Sequence, residues 1–316
     1  MKIVILDGNA LNPGDLSWKG FESLGDVTLY DRTPADLVVS RIGDAEILIT
    51  NKVNITKEII NQCPNLKYIG VLATGYNIID TKAAAEKSIV VTNIPSYSTS
   101  AVAQAVFAYI LEFANGVHTH NQSVQKGDWC KSKDFCYWTH PLIEIAGKTL
   151  GIIGYGSIGQ QVAKIASAFG MKVLAYSRTA SKIQEPAKSV SLEVLLSNSD
   201  FISLHAPLTP ETTNLINEKT LQLIKDGAML INTARGPLVD EKAVKNALES
   251  GKLGCFAADV LSSEPMSKDC PLLGCENTII TPHVAWAGYE TRQRLMNIAV
   301  NNLKSFLDGN IQNQVF

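Results

Sequence analysis

Six residues, Gly154-Tyr155-Gly156-Ser157-Ile158-Gly159, carry the G-x-G-x-x-G spacing of a phosphate-binding turn. Glycines also recur in turns for local reasons, so the spacing has weight only in context. Immediately before it lies the apolar run Leu150 to Ile153. Immediately after comes the helix-forming stretch QQVAKIASAFG, and a second apolar run begins at Lys172. In that setting Gly154 permits the tight turn, Gly156 lets backbone approach a pyrophosphate, and Gly159 lets helix and strand pack closely. Ser157 and Ile158 open the helix, whose unpaired N–H donors and positive dipole end suit phosphates. A nicotinamide dinucleotide is the expected ligand.

Such sites usually carry an acidic side chain about 20 residues on, accepting from the ribose 2′-hydroxyl. Ser177-Arg178-Thr179 occupies that place, and the next carboxylate is Glu185. Two hydroxyls and a guanidinium suit a 2′-phosphate, which an aspartate would repel. NADP(H) is therefore the expected preference, with NAD(H) still able to bind.

Three further residues follow late apolar runs: Arg235 in INTARGPLVDE, Glu264 in ADVLSSEP and His283 in TPHVAWAGYETR. Reduction of a 2-keto acid needs a cation for the substrate carboxylate, a proton donor at the carbonyl oxygen, and a partner holding that donor charged. A guanidinium grips a carboxylate bidentately, and a carboxylate bonded to an imidazole favours its protonated form and fixes its orientation. Taken singly, each has an ordinary reading: a surface cation, a turn residue before Pro265, a satisfied loop histidine.

The elements that must position these residues form two alternating series. Apolar runs at 2–7, 27–31, 46–50, 67–73 and 89–93 alternate with amphipathic stretches, the pattern of a parallel sheet covered on both faces. From Ser98 an alanine-rich helical stretch runs to Gly116 and links this series to a second. Its runs lie at 148–154, 172–177, 200–206, 228–234, 254–261 and 278–284, the rhythm of a doubly wound sheet whose first strand leads into the glycine loop. A last amphipathic helix from Glu290 ends at Gly309, and it is expected to return to the first unit, making that unit discontinuous. Between the series, residues 126–145 hold Trp129, Phe135, Tyr137 and Trp138 with few regular signals. An arm packed on another subunit and simple packing within the chain both account for that aromatic density.

The 316 residues suggest two domains at about 150 residues each. Lysine plus arginine number 28 against 30 aspartate plus glutamate, with no basic patch to track a phosphate backbone, so nucleic acid is not an expected partner. The apolar run Ile3 to Leu6 is too short for a secretory or membrane segment, and a cytoplasmic location without membrane association is expected. Six cysteines without CxxC spacing read as reduced structural thiols, with no metal site.

Through GYGSIG, HAPLTPET, INTARG, the AADV…EP segment and TPHVAWA, the chain resembles the D-isomer-specific 2-hydroxyacid dehydrogenase family. The resemblance extends to LATGYNIID and DFCYW…PLIEIAGKTLGIIG, and so over nearly the whole chain. It implies an α/β fold of two doubly wound parallel-sheet domains. A Rossmann cofactor domain, 99–287, would be inserted in a flavodoxin-like substrate domain, 1–98 and 288–316, with helical arms exchanged across a homodimer. It also implies roles: Arg235 orienting substrate, His283 the acid/base, Glu264 its partner and Asp259 holding the nicotinamide carboxamide. His205-Ala206-Pro207 and Thr233-Ala234 would line the cofactor, and Ala73-Thr74-Gly75 would meet the substrate carboxylate. Ser177 replaces the family's usual aspartate, and Gln104 stands where many members have glutamate, the latter without a functional consequence we can argue. Trp286 and the DFCYW segment resemble the glycerate dehydrogenase and hydroxypyruvate (glyoxylate) reductase branch, which implies a small anionic 2-keto or 2-hydroxy acid as substrate. A phosphoglycerate dehydrogenase-like enzyme is the nearest enzymatic rival, with Lys52 the one cation in the right region. A nicotinamide-sensing corepressor-like binding protein is the rival from another class.

Overall fold

Short apolar runs rich in valine and isoleucine become parallel strands because both faces of each sheet are covered by helices. In the computed structural model, which describes residues 1–316, the strands in chain order begin with β1 (Lys2–Ile5), β2 (Asp26–Leu29), β3 (Ile47–Thr50), β4 (Tyr68–Val71) and β5 (Val90–Thr92). They continue with β6 (Thr149–Ile153), β7 (Lys172–Tyr176), β8 (Ala187–Ser189), β9 (Phe201–Leu204), β10 (Ala228–Asn232), β11 (Leu253–Ala258) and β12 (Thr278–Ile280). The chain divides into two compact units, one made of Met1–Ser98 with Trp286–Phe316 and the other of Thr99–Ala285. The second is thus inserted in the chain of the first.

In the first unit the sheet order is β2-β1-β3-β4-β5, all parallel, the flavodoxin-like doubly wound order. One face packs Val4, Leu48, Ile69 and Val91 against helices of the N-terminal segment. The other packs Ile3, Ile5, Ile47, Ile49 and Tyr68 against Leu295, Met296, Ala299 and Leu303 of the C-terminal helix Tyr289–Leu307. The end of the chain returns to this sheet as well: Val315 N–H donates to the Val91 carbonyl at 3.1 Å. That helix starts one residue before the sequence pattern suggests and stops before Gly309, whose φ of 74° lies in the left-handed region glycine favours.

The second unit has the order β12-β11-β10-β9-β6-β7-β8, again all parallel, which is the Rossmann order extended by one strand. Its strand order reverses between β6 and β9, where such sheets open a ligand crevice. The helix Thr99–Asn115 covers one face through Ala103, Val106, Phe107 and Ile110. The strand β8 was not visible in the sequence, because Ala187-Lys188-Ser189 at a sheet edge has no apolar run to mark it. No single helix is long and apolar enough to cross a membrane.

Candidate active site

The glycine loop leaves β6 at the reversal point and is packed on its neighbour. Gly154 has φ 98°, and a Cβ there would lie 2.5 Å from the His205 carbonyl carbon and 2.6 Å from the Ala206 nitrogen. A Cβ on Gly159 would lie 2.3 Å from the Gly154 oxygen, so helix Ser157–Ala168 can approach the strand only with glycine there. Gly156 differs: a Cβ would meet nothing within 4 Å, and its φ of −81° is ordinary. Its missing side chain leaves a hollow in front of a helix start that no side chain caps. At the end of β7, Tyr176 O accepts from Gly154 N–H at 2.8 Å, so Ser177-Arg178-Thr179 begins directly beside this loop. Arg178 also attracts Glu211 on the segment after β9, whose carboxyl is lowered first by a hydrogen bond from Thr209 and also by that guanidinium.

His205 keeps part of its surface open, yet the protein packed around its ring pushes the imidazole down to about 4. Its Nε2 lies 2.9 Å from Ser203 Oγ, and Ala206 and Pro207 continue the same loop. After β10, Asn232 ties the next turn together: its amide donates to Arg235 O at 2.9 Å, and its carbonyl accepts from Ala234 N–H at 3.0 Å. The buried Thr233 Oγ1 has no hydrogen-bond partner, a rarity for a buried hydroxyl. Arg235 is exposed; its guanidinium donates to the Ala234 carbonyl at 2.7 Å and forms no ion pair. Gly236 lets this turn lie against the next: a Cβ there would fall 1.9 Å from the Leu261 carbonyl carbon.

Glu264 and His283 meet. Glu264 Oε1 accepts from Leu261 N–H at 3.0 Å, and Oε2 accepts from His283 Nδ1 at 2.6 Å, with side chains 38% and 30% exposed. Because Glu264 is held by its own loop, it fixes the imidazole's tautomer and aim. Asp259, only 3% exposed, accepts from Thr281 Oγ1 at 2.6 Å and from the N–H groups of Val284 and Ala285 at 2.8 Å each. Its carboxylate therefore clamps the loop that carries His283. Arg235, Glu264 and His283 follow the adjacent strands β10, β11 and β12, and of the three only the last two touch.

Lys52 and Ala73-Thr74-Gly75 lie in the first unit, after β3 and β4. Thr74 is pinned there, its hydroxyl donating to Ile94 O at 2.8 Å and its carbonyl accepting from Asn93 Nδ2 at 2.7 Å. Asp7, which no sequence motif singles out, belongs with these residues. This buried carboxylate at the end of β1 accepts from Thr50 Oγ1 (2.9 Å), Asn51 N–H (2.8 Å) and Lys52 N–H (2.6 Å). It repeats in the first unit what Asp259 does in the second, and the shared signal was an aspartate ending an apolar strand, ILD and FAAD.

Residues 107–285 match the family model of the D-isomer specific 2-hydroxyacid dehydrogenase, NAD binding domain. The chain is 51% identical to a hydroxypyruvate reductase of Blautia hydrogenotrophica, covering 100% of this chain and 99% of that protein. It is 41% identical to a glycerate dehydrogenase of Methylorubrum extorquens, covering 99% and 98%. Its structure superposes with a TM-score of 0.87, at 33% identity and full coverage of both chains, on an acyclic imino acid reductase in complex with NADPH and D-Arg. The protein belongs to the D-isomer-specific 2-hydroxyacid dehydrogenase family. The residues present fit a nicotinamide cofactor: the hollow at Gly156, the uncapped helix start and the unpartnered Thr233 hydroxyl all lie on loops leaving the carboxyl ends of strands of the second unit.

Proposed function

We propose that the protein reduces small 2-keto acids, hydroxypyruvate and glyoxylate foremost, to D-glycerate and glycolate, and that it prefers NADPH. The observation that carries this reading is the Glu264–His283 pair at 2.6 Å, on the loops after β11 and β12, next in sheet order to the loop after β10 that bears Arg235, a guanidinium in no ion pair. In this reading Arg235 binds the substrate carboxylate and polarises the neighbouring carbonyl. His283, with Nδ1 committed to Glu264, delivers its Nε2 proton to the carbonyl oxygen as that oxygen gains charge. A reduced nicotinamide, when held there, would supply the hydride that together with the His283 proton turns the substrate C=O into CH–OH. Gly154, Gly156, Ser157, Ile158 and Gly159 hold the pyrophosphate. His205, Ala206, Pro207, Thr233, Ala234 and Asp259 line the nicotinamide side. In the unit read as the substrate domain, Lys52 and the N–H groups of Ala73, Thr74 and Gly75 are the donors suited to a carboxylate.

The NADPH preference rests on Ser177, Arg178 and Thr179, which offer hydroxyls and a guanidinium where a 2′-phosphate would sit. A homodimer is supported by the segment after the linking helix, where Phe135 is 89%, Trp138 64% and Leu142 54% exposed. Apolar surface of that kind is usually covered by a partner. The deciding experiment measures loss of reduced-nicotinamide absorbance with hydroxypyruvate, glyoxylate and 3-phosphohydroxypyruvate, each with NADPH and with NADH. Turnover of the first two, faster with NADPH, is expected; no turnover with any would remove the enzyme reading, and a clear NADH preference would remove the cofactor reading.

A further inference from the structure

The backbone at His283 is in the left-handed region, with φ 54°, a conformation a non-glycine residue keeps only when its surroundings impose it. Packing does little of this, since Pro282 is exposed and Val284 is 46% exposed. Hydrogen bonds do it instead. His283 N–H donates to the Asp259 carbonyl at 2.8 Å, and the Asp259 carboxylate takes the N–H groups of Val284 and Ala285. Thr281 Oγ1 gives its only hydrogen to Asp259 Oδ1, at 2.6 Å, so at its lone pairs it can only accept. Tyr109 Oη stands 2.6 Å from it, reaching out of the middle of helix Thr99–Asn115. Burial raises the Tyr109 phenol above its ordinary value, so it keeps the proton it must donate. The direction of the chain is thereby set: Tyr109 donates to Thr281, and Thr281 donates to Asp259.

We propose that Tyr109 is a positioning residue for the reaction: through Thr281 and Asp259 it fixes the loop that aims His283 at the substrate carbonyl. The inference rests on the reading of His283 as the proton donor. Nothing in the sequence singles Tyr109 out, 172 positions before its partner within an alanine-rich helix.

The test compares Tyr109→Phe, Thr281→Val and Thr281→Ser by steady-state kinetics with NADPH and hydroxypyruvate. Proton NMR of the cofactor-free protein follows the hydrogen shared by His283 Nδ1 and Glu264. Tyr109→Phe and Thr281→Val should each lower kcat about tenfold while KM for both substrates stays within about twofold, and Thr281→Ser should restore kcat. The downfield proton line should broaden in the first two variants and stay sharp in the third. An unchanged kcat in Tyr109→Phe alongside a lowered Tm would make the bond merely structural and overturn the proposal, as would Thr281→Ser behaving like Thr281→Val. Should Tyr109→Phe not fold, the two Thr281 variants make the same comparison. Should the wild type turn over no 2-keto acid, the functional reading fails, and the proton line alone decides the relay, an unchanged line in Tyr109→Phe overturning it.

Discussion

The imidazole of His283 and the carboxylate of Glu264 form a unit, and removal of either should show in kcat. His283→Ala should lower kcat by about 10²- to 10⁴-fold, the range of a lost general acid, with little change in cofactor affinity. An unchanged kcat would end the proton-donor assignment. Arg235→Ala should mainly raise KM and also slow the chemical step, because the same guanidinium binds and polarises. A different single residue governs acid stability. His205 is pushed down from 6.5 to about 4 by burial, so the unfolded chain binds a proton that the folded chain refuses between those values. Its contribution is full above pH 6.5 and is lost as pH falls toward 4, on the order of 3 kcal/mol at most. Thermal unfolding from pH 7.5 to 4.5 should therefore decline more steeply in the wild type than in His205→Asn; parallel curves would refute the assignment.

At the scale of elements, the three glycines of the turn should separate by experiment. Gly156→Ala places a methyl in open space and should leave Tm unchanged while weakening NADPH binding by at least about tenfold, the pyrophosphate losing its approach. Gly159→Ala drives a methyl against the Gly154 carbonyl at 2.3 Å and should destabilise the protein by about 2 kcal/mol. Equal Tm losses in both would mean that Gly156 is structural. One strand along, Ser177→Asp sets a carboxylate against a 2′-phosphate, and the NADPH:NADH ratio of kcat/KM should fall on the order of 100-fold. The strand–turn–helix frame around these positions was legible in the sequence, since apolar runs and glycine spacing are local signals. The short edge strand β8 was not, because polar edge residues carry no periodic mark.

For the whole molecule, the chain's path is the informative feature: one α/β unit interrupts another, and the interrupting unit also carries the exposed aromatics Trp129, Phe135 and Trp138. If these face a second copy, Phe135→Ser with Trp138→Ser should shift sedimentation from twice the chain mass to once the chain mass. A wild type that sediments as one chain would refute the dimer.

What the sequence by itself determined was type and order: two parallel α/β series, a dinucleotide turn at Gly154 to Gly159, and Arg235, Glu264 and His283 each placed after a strand. Those signals survive because periodicity, turn chemistry and strand ends are written within a few residues. Only the tertiary structure decided which of these side chains touch. It set Glu264 on His283, spent both oxygens of Asp259 on the His283 loop, gave Asp7 the same task at Lys52, and brought Tyr109 to Thr281. Hydrogen bonds between residues 19 to 172 positions apart depend on which strands become neighbours in the sheet and which helix covers them, and no local pattern encodes that choice.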